Sequence, residues 1–143
     1  MYAIGLLGIL RNNVMPKLNH MQVVIVERRT LLREGLASLL SDTKYKVVAS
    51  LATVSELPSV SLLATRPTLL ILGLWNGIAE AVKAVQEARE ARSLPPDTKV
   101  VVVAESVGTH EIRELLEGGA NGVIVNVSSR EVFIKAIDLA FLD

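Results

Sequence analysis

Five short apolar runs constrain the fold of this 143-residue chain more than any other feature. A strand with one solvent-exposed face alternates apolar and polar residues, whereas a strand covered on both faces is apolar almost throughout. None of the runs alternates, and segments with helical apolar spacing separate them. Five strands alternating with five helices predict an α/β fold, a doubly wound five-stranded parallel sheet of the (βα)5, flavodoxin-like type. The runs are residues 22–26, 46–50, 68–72, 99–103 and 122–125.

The helices are expected near residues 30–40, 54–64, 78–92, 109–117 and 132–140. Thr30 is predicted to cap the first helix, and Ser128 or Ser129 the last. On the last helix, Ile134 and Phe141 are expected to point away from the core. The residues expected to face the core there are Phe133, Ala136, Ile137 and Ala140.

The composition narrows the chemistry that the chain can perform. Its formal charge is zero, so no overall charge attracts nucleic acid or an anionic membrane. It has no cysteine, which excludes disulfides, thiolate metal sites and cysteine nucleophiles. A cytoplasmic location is therefore the natural expectation.

Residues 1–20 are predicted to be an N-terminal extension, and residues 21–143 to form the domain. The apolar run from Tyr2 to Leu10 precedes the first charge, Arg11, which is the reverse of a signal peptide. It is also shorter than the roughly 18 apolar residues of a membrane span. Two interpretations are open: an untethered tail, or an apolar segment that docks on this domain or on a partner.

In a doubly wound sheet the functional crevice lies beyond the carboxyl ends of the strands. The segments around those ends, Val23–Leu36, Arg66–Leu74 and Glu117–Asn126, resemble the receiver domains of bacterial response regulators. The Leu-Leu-Arg-Glu-Gly-Leu stretch at residues 31–36 is especially similar to receivers attached to LuxR-type helix-turn-helix outputs. The resemblance covers residues 21 to about 142 and implies the receiver fold.

The resemblance also implies a set of functional groups. A working receiver has an aspartate after the third strand that accepts a phosphoryl group, and an acidic pair after the first strand that holds Mg²⁺. A Thr or Ser after the fourth strand and a Lys after the fifth bind the phosphoryl oxygens. This chain has Glu27-Arg28, Gly73, Ala104 and Asn126 at those positions. We therefore expect a degenerate pocket without phosphorylation, enzymatic activity, metal or cofactor.

Charged residues near this pocket suggest what replaces the metal. Glu27 and Glu105 could supply two carboxylates, but Arg28 and Arg29 are close in sequence. A guanidinium would pair with a carboxylate in place of a divalent ion, which predicts an ion-paired pocket. The alternative is that Arg28 points to solvent.

Other site chemistries find little support. The turn after the first strand has no glycine, and no P-loop occurs, so a nucleotide site is not indicated. His20 and His110 stand alone, whereas even catalytic metal sites gather about three protein ligands. The serines have no His–Asp partners for a hydrolase triad.

Surface residues are then the candidates for function. Trp75 either covers the emptied pocket or forms part of a contact, since Trp is enriched at interface hot spots. By resemblance, we expect an interface near the fourth helix, the fifth strand and the fifth helix. The alternative there is an ordinary solvated face. The residues in question are Arg113, Glu117, Ile134, Lys135 and Phe141.

These observations lead to a phosphorylation-independent regulatory domain, a pseudo-receiver that acts through a protein partner or as a homodimer. It would regulate transcription through an attached or partner output domain, and DNA binding would need that output domain. No membrane contact is expected. The alternative is a small-molecule sensor that uses the degenerate acidic pocket, and a third possibility is phosphotransfer at a non-standard residue.

Overall fold

A single parallel sheet organises the chain, for which the computed structural model describes residues 21–62 and 67–142. The spatial order of the strands is β2-β1-β3-β4-β5, and each neighbouring pair is parallel. The predicted α/β fold with its five-stranded parallel sheet is confirmed. The extension, residues 1–20, lies outside the described residues. The strands are β1 Met21–Val26, β2 Tyr45–Leu51, β3 Thr68–Gly73, β4 Lys99–Ala104 and β5 Gly122–Val125.

Within the described residues, three α-helices and one 3-10 helix connect the strands, and a fourth α-helix follows β5. The 3-10 helix, Val54–Ser59, replaces the helix expected over residues 54–64. Pro58 has no N–H for an α-helical hydrogen bond, which favours a short 3-10 helix here. Residues 63 and 64, the end of the expected helix, lie outside the described residues. The α-helices are α1 Thr30–Leu39, α2 Ile78–Glu90, α3 Thr109–Glu117 and α4 Arg130–Ala140. In the described ranges, no helix combines the length and apolar character needed to cross a membrane.

Alternate residues of each strand point to opposite faces, so the sheet has a core on each side. On one face Val23 and Ile25 of β1 pack in a cluster that includes Leu36 of α1 and Phe133 of α4. On the other face the buried residues of β1, β3 and β4 pack with the 3-10 helix, α2 and α3. Both faces are therefore covered, which explains why the strands lack polar alternation.

The two predicted helix caps have different outcomes. Ser129 precedes α4, and its hydroxyl accepts a hydrogen bond from the Val132 amide at 3.2 Å, as predicted. The prediction for Thr30 is wrong, because Thr30 is the first helical residue and Arg29 occupies the cap position. The Arg29 amide donates to the carboxylate of Glu27 instead.

The burial predicted for α4 needs correction. Ile134 and Phe141 do not point away from the core but pack against it, partly buried. Phe141 stacks on Tyr45 of β2, with ring centroids 6.2 Å apart. Residues at the end of α4 contact β2 as well as the strands below the helix. More of its surface is therefore buried than the helical spacing of its apolar residues suggests. The exposed apolar residues are Val132, Leu139 and Leu142, which are 54%, 63% and 78% exposed.

Tyr45, the first residue of β2, connects this strand to α4. Its ring is only 2% exposed, and its hydroxyl donates to the carboxylate of Asp138. The ammonium of Lys44 lies 3.3 Å from the same carboxylate. Burial, together with the hydrogen bond to Asp138 and its negative charge, raises the pKa of Tyr45 above its ordinary value.

The raised pKa of Tyr45 predicts a loss of stability at alkaline pH. The folded state keeps the phenol protonated, whereas the unfolded chain ionises it near pH 10, the ordinary tyrosine value. This contribution is constant below about pH 10 and falls as the pH rises further. Urea unfolding of wild type and Tyr45→Phe across this range should show a difference in unfolding free energy that shrinks with increasing pH. A constant difference would contradict the assignment.

Candidate functional site

A buried carboxylate lies at the point where the strand order reverses. Glu27 follows β1, the strand between β2 and β3, and its side chain is 0% exposed. Its amide donates to the carbonyl of Leu51 at 2.9 Å, which fixes the backbone beside the end of β2. An unpaired carboxylate in such a place is costly, so the residue requires a partner.

Arg29 is that partner. Its Nε donates to Oε2 of Glu27 and its Nη2 to Oε1, both at 2.9 Å, in a bidentate pair. Its amide adds a third hydrogen bond to Oε2 at 2.6 Å. The hydrogen bond to Glu27 raises the pKa of Arg29, against the opposing effect of desolvation, and the charges of Glu27 and Glu105 add to the rise.

The same guanidinium connects two loops at this edge of the sheet. Its Nη2 donates to the carbonyl of Leu74 at 3.1 Å, and its Cζ lies 5.7 Å from the centroid of the Trp75 ring. That distance is within the range of a cation–π contact. Arg33 of α1 donates to the carbonyl of Glu27 at 2.7 Å. The ion pair therefore joins the β1–α1 turn to the β3–α2 loop.

Gly73, the residue predicted to stand in place of a phosphoryl acceptor, leaves room for this carboxylate. A Cβ built on Gly73 would lie 1.7 Å from Oε1 of Glu27 and 2.7 Å from its Cδ. No side chain fits there while Glu27 keeps its place. The absence of an acceptor at Gly73 and the lengthened acid at Glu27 are thus one structural arrangement, since the Glu27 carboxylate occupies the space beside Gly73.

Ala104 is the last residue of β4, and Asn126 directly follows β5. Ala104 is 4% exposed and has no hydroxyl to offer a phosphoryl oxygen. Asn126 has φ 58°, a left-handed conformation that Asn tolerates better than most residues. Its amide donates to the carbonyl of Ala104 at 2.8 Å, and its side chain is exposed. These two residues flank the pocket without a cationic or hydroxyl group.

The remaining residues singled out in the sequence lie apart from the ion pair. Arg28 is exposed, so of the two arginines only Arg29 pairs with Glu27. Glu105 is exposed and does not join Glu27. Over residues 21–62 and 67–142, no three His, Cys, Asp or Glu side chains are placed to hold a metal ion. His110 lies 3.1 Å from Glu114 one turn further along α3.

The expected interface residues lie on the β3–α2 loop, on α3 and at α4. Trp75 is 44% exposed and lies against Arg29, and it also lines a small cavity of about 120 Å³ with Arg28 and Gly73. Trp75 therefore forms part of the wall of this cavity and is also partly exposed to solvent. Arg113 and Glu117 of α3 are exposed, and so is Lys135 of α4.

One feature of the site could not be read from the sequence. A cavity of about 600 Å³ lies between α1 and the ends of β4 and β5. Its walls come from three separate stretches of chain, which no local pattern connects. The only sequence signals are two small residues, Gly35 and Ala104. The lining residues are Arg29, Leu32, Gly35, Leu36, Leu39, Val103, Ala104, Glu105, Asn126 and Val127.

Comparison with solved structures identifies the fold as that of receiver domains. A response regulator from Thermotoga maritima is 17% identical, with a TM-score of 0.69 over 87% of this chain and 99% of that one. A LuxR family DNA-binding response regulator from Silicibacter pomeroyi is 24% identical, with a TM-score of 0.63 over 85% and 92%. A pilus assembly protein CpaE from Caulobacter crescentus is 15% identical, with a TM-score of 0.63 over 84% and 98%.

These likenesses concern the fold, since the sequence identities are low. No protein-family model matches the sequence, and no curated protein does.

The ion pair predicts that alanine substitutions of Arg28 and Arg29 affect the stability of the protein differently. Arg29→Ala leaves a buried carboxylate without its partner, and the unfolding free energy should fall by about 2 kcal/mol, because Arg29 is partly exposed and water replaces some of the contact. Arg28→Ala removes the same charge from an exposed site and should change the unfolding free energy by less than about 0.5 kcal/mol. Denaturant unfolding of both variants measures this difference. Equal effects would contradict the role of Arg29.

Proposed function

We propose that this chain is a receiver-like regulatory module that works without phosphorylation, by contact with a protein partner or with a second copy of itself. The observation that carries the proposal is the Glu27 carboxylate, which lies where a side chain at Gly73 would have to be. Arg29 holds it there with three hydrogen bonds. The known receiver chemistry needs an acceptor and a metal pair at this place, and the residues present supply neither.

The proposed role is regulatory because the fold is that of response-regulator receivers, which occur in the similar LuxR family structure as part of a DNA-binding protein. Regulation of transcription through an attached or partner output domain is the form we favour. A cytoplasmic setting and the absence of enzymatic activity belong to the same proposal. The state of the module would then depend on its concentration and on its partners.

The surface we propose for contact is the face formed by α3, β5 and α4. Arg130 donates to the carbonyl of Ser38, and Phe141 stacks on Tyr45, so one flank of α4 is turned toward α1 and β2. Val132 and Leu139 are seven residues apart on the other flank. Since β5 is an edge strand, that flank faces the open edge of the sheet.

This face carries both apolar and charged exposed residues. Val125 of β5 and Leu116 of α3 are 40% and 45% exposed. Exposed apolar side chains gathered on adjoining elements are typical of an interface, and a rim of charges sets its specificity. The charged residues of this face are Arg113, Glu117 and Lys135.

The first test asks whether the chain takes up a phosphoryl group. Wild-type protein incubated with acetyl phosphate and Mg²⁺ should show no phosphoryl adduct in its intact mass. Gly73→Asp should also stay unmodified, because its side chain meets Glu27 and the Mg²⁺ pair is still missing. A phosphoryl adduct on the wild-type chain would overturn the proposed phosphorylation independence. The modified residue would then be identified by peptide mass mapping.

The second test concerns self-association through α4. Leu139→Arg places a charge in the proposed apolar face and should shift a concentration-dependent dimer to monomer in sedimentation equilibrium. Ala79→Arg adds the same charge to an exposed position of α2 and should leave association unchanged. A wild-type chain that stays monomeric at all concentrations would reject the homodimer. Equal effects of both variants would reject the α4 face.

A further inference from the structure

The cavity beside the ion pair has the size and lining of a small-molecule site. At about 600 Å³ it lies within the range of roughly 300–1,000 Å³ typical of ligand pockets. Its walls are mostly aliphatic, with Leu32, Leu36 and Leu39 on the α1 side and Val103 and Val127 opposite. Such walls favour the apolar body of a ligand.

Gly35 keeps this space open. It lies within α1, where glycine is the least favourable residue after proline. A Cβ built on Gly35 meets no atom within 4 Å, so no packing contact requires glycine here. A larger residue would improve the helix and would fill part of the cavity.

Two charged side chains line the cavity, Arg29 and Glu105. The charge of Arg29 is compensated by Glu27, to which it is bound bidentately. Glu105 is exposed at the cavity, and its charge acts on Arg29, whose hydrogen bonds to a carboxylate go to Glu27. A cationic group near Glu105 would complete this charge balance, whereas an anionic group would be repelled by it and would compete with Glu27 for Arg29.

We infer that the cavity between α1 and the ends of β4 and β5 binds a small amphiphilic cation, with its apolar body against the leucines of α1 and its ammonium group at Glu105. This inference goes beyond the proposed function and does not depend on it. The cavity shares Arg29, Ala104 and Asn126 with the surroundings of the degenerate pocket, whereas the Glu27 carboxylate fills the space beside Gly73.

Three probes with the same chain and different head groups test the inference: octylamine, octanol and octanoate. In amide NMR titrations of the whole chain, octylamine should bind most tightly and octanoate most weakly. Signals of Gly35, Ala104 and Asn126 should shift and saturate, whereas that of Gly119, which precedes the amino end of β5, should not shift. Preferred binding of octanoate, or equal shifts at Gly119, would overturn the inference.

Two variants separate the parts of the site. Gly35→Leu should weaken octylamine binding roughly tenfold or more, while its thermal midpoint does not fall. Ala79→Leu, on the exposed side of α2, is the matched control and should bind as wild type does. Glu105→Gln should weaken octylamine by about two- to fivefold, as for an exposed ion pair, and leave octanol unchanged. Full octylamine affinity in both Gly35→Leu and Glu105→Gln would reject the site.

Discussion

The buried Glu27 carboxylate and its bond to Arg29 determine the architecture of this edge of the sheet. A carboxylate that is 0% exposed is tolerable only when its charge and its hydrogen bonds are satisfied. Arg29 meets that requirement and, through Leu74, holds the β3–α2 loop against the β1–α1 turn. Gly73 follows from the same constraint, because any larger residue would collide with the carboxylate.

The sequence predicted the sheet well because the sheet depends on local pattern. The bounds of β5 and α3 agree with their apolar runs and helical spacing, and Asn76 and Gly77 adopt the positive φ that their turn requires. The failures are those of long-range contact. Phe141 was expected outside the core, but its position depends on Tyr45, which is distant in sequence.

The candidate site was predictable in its residue types and not in its geometry. The absence of an acceptor at Gly73 is visible in the sequence, but Arg28 and Arg29 are consecutive in an irregular turn, where no periodicity tells which one faces inward. The structure assigns that position to Arg29. The cavity around Gly35 is beyond sequence reasoning for the same physical reason, since α1, β4 and β5 contribute its walls.

A fixed internal anion differs from a phosphoryl group in what can regulate it. A ligand or modification shifts an equilibrium only by its differential free energy between two states. The Glu27 carboxylate directly follows β1 and belongs to the chain itself, so a phosphorylation signal would not add or remove its charge. Under the proposed function, regulation would come from binding at another surface, such as the α4 face or the cavity at Gly35. Because the cavity includes Arg29, a ligand there would touch the residue that joins the two loops.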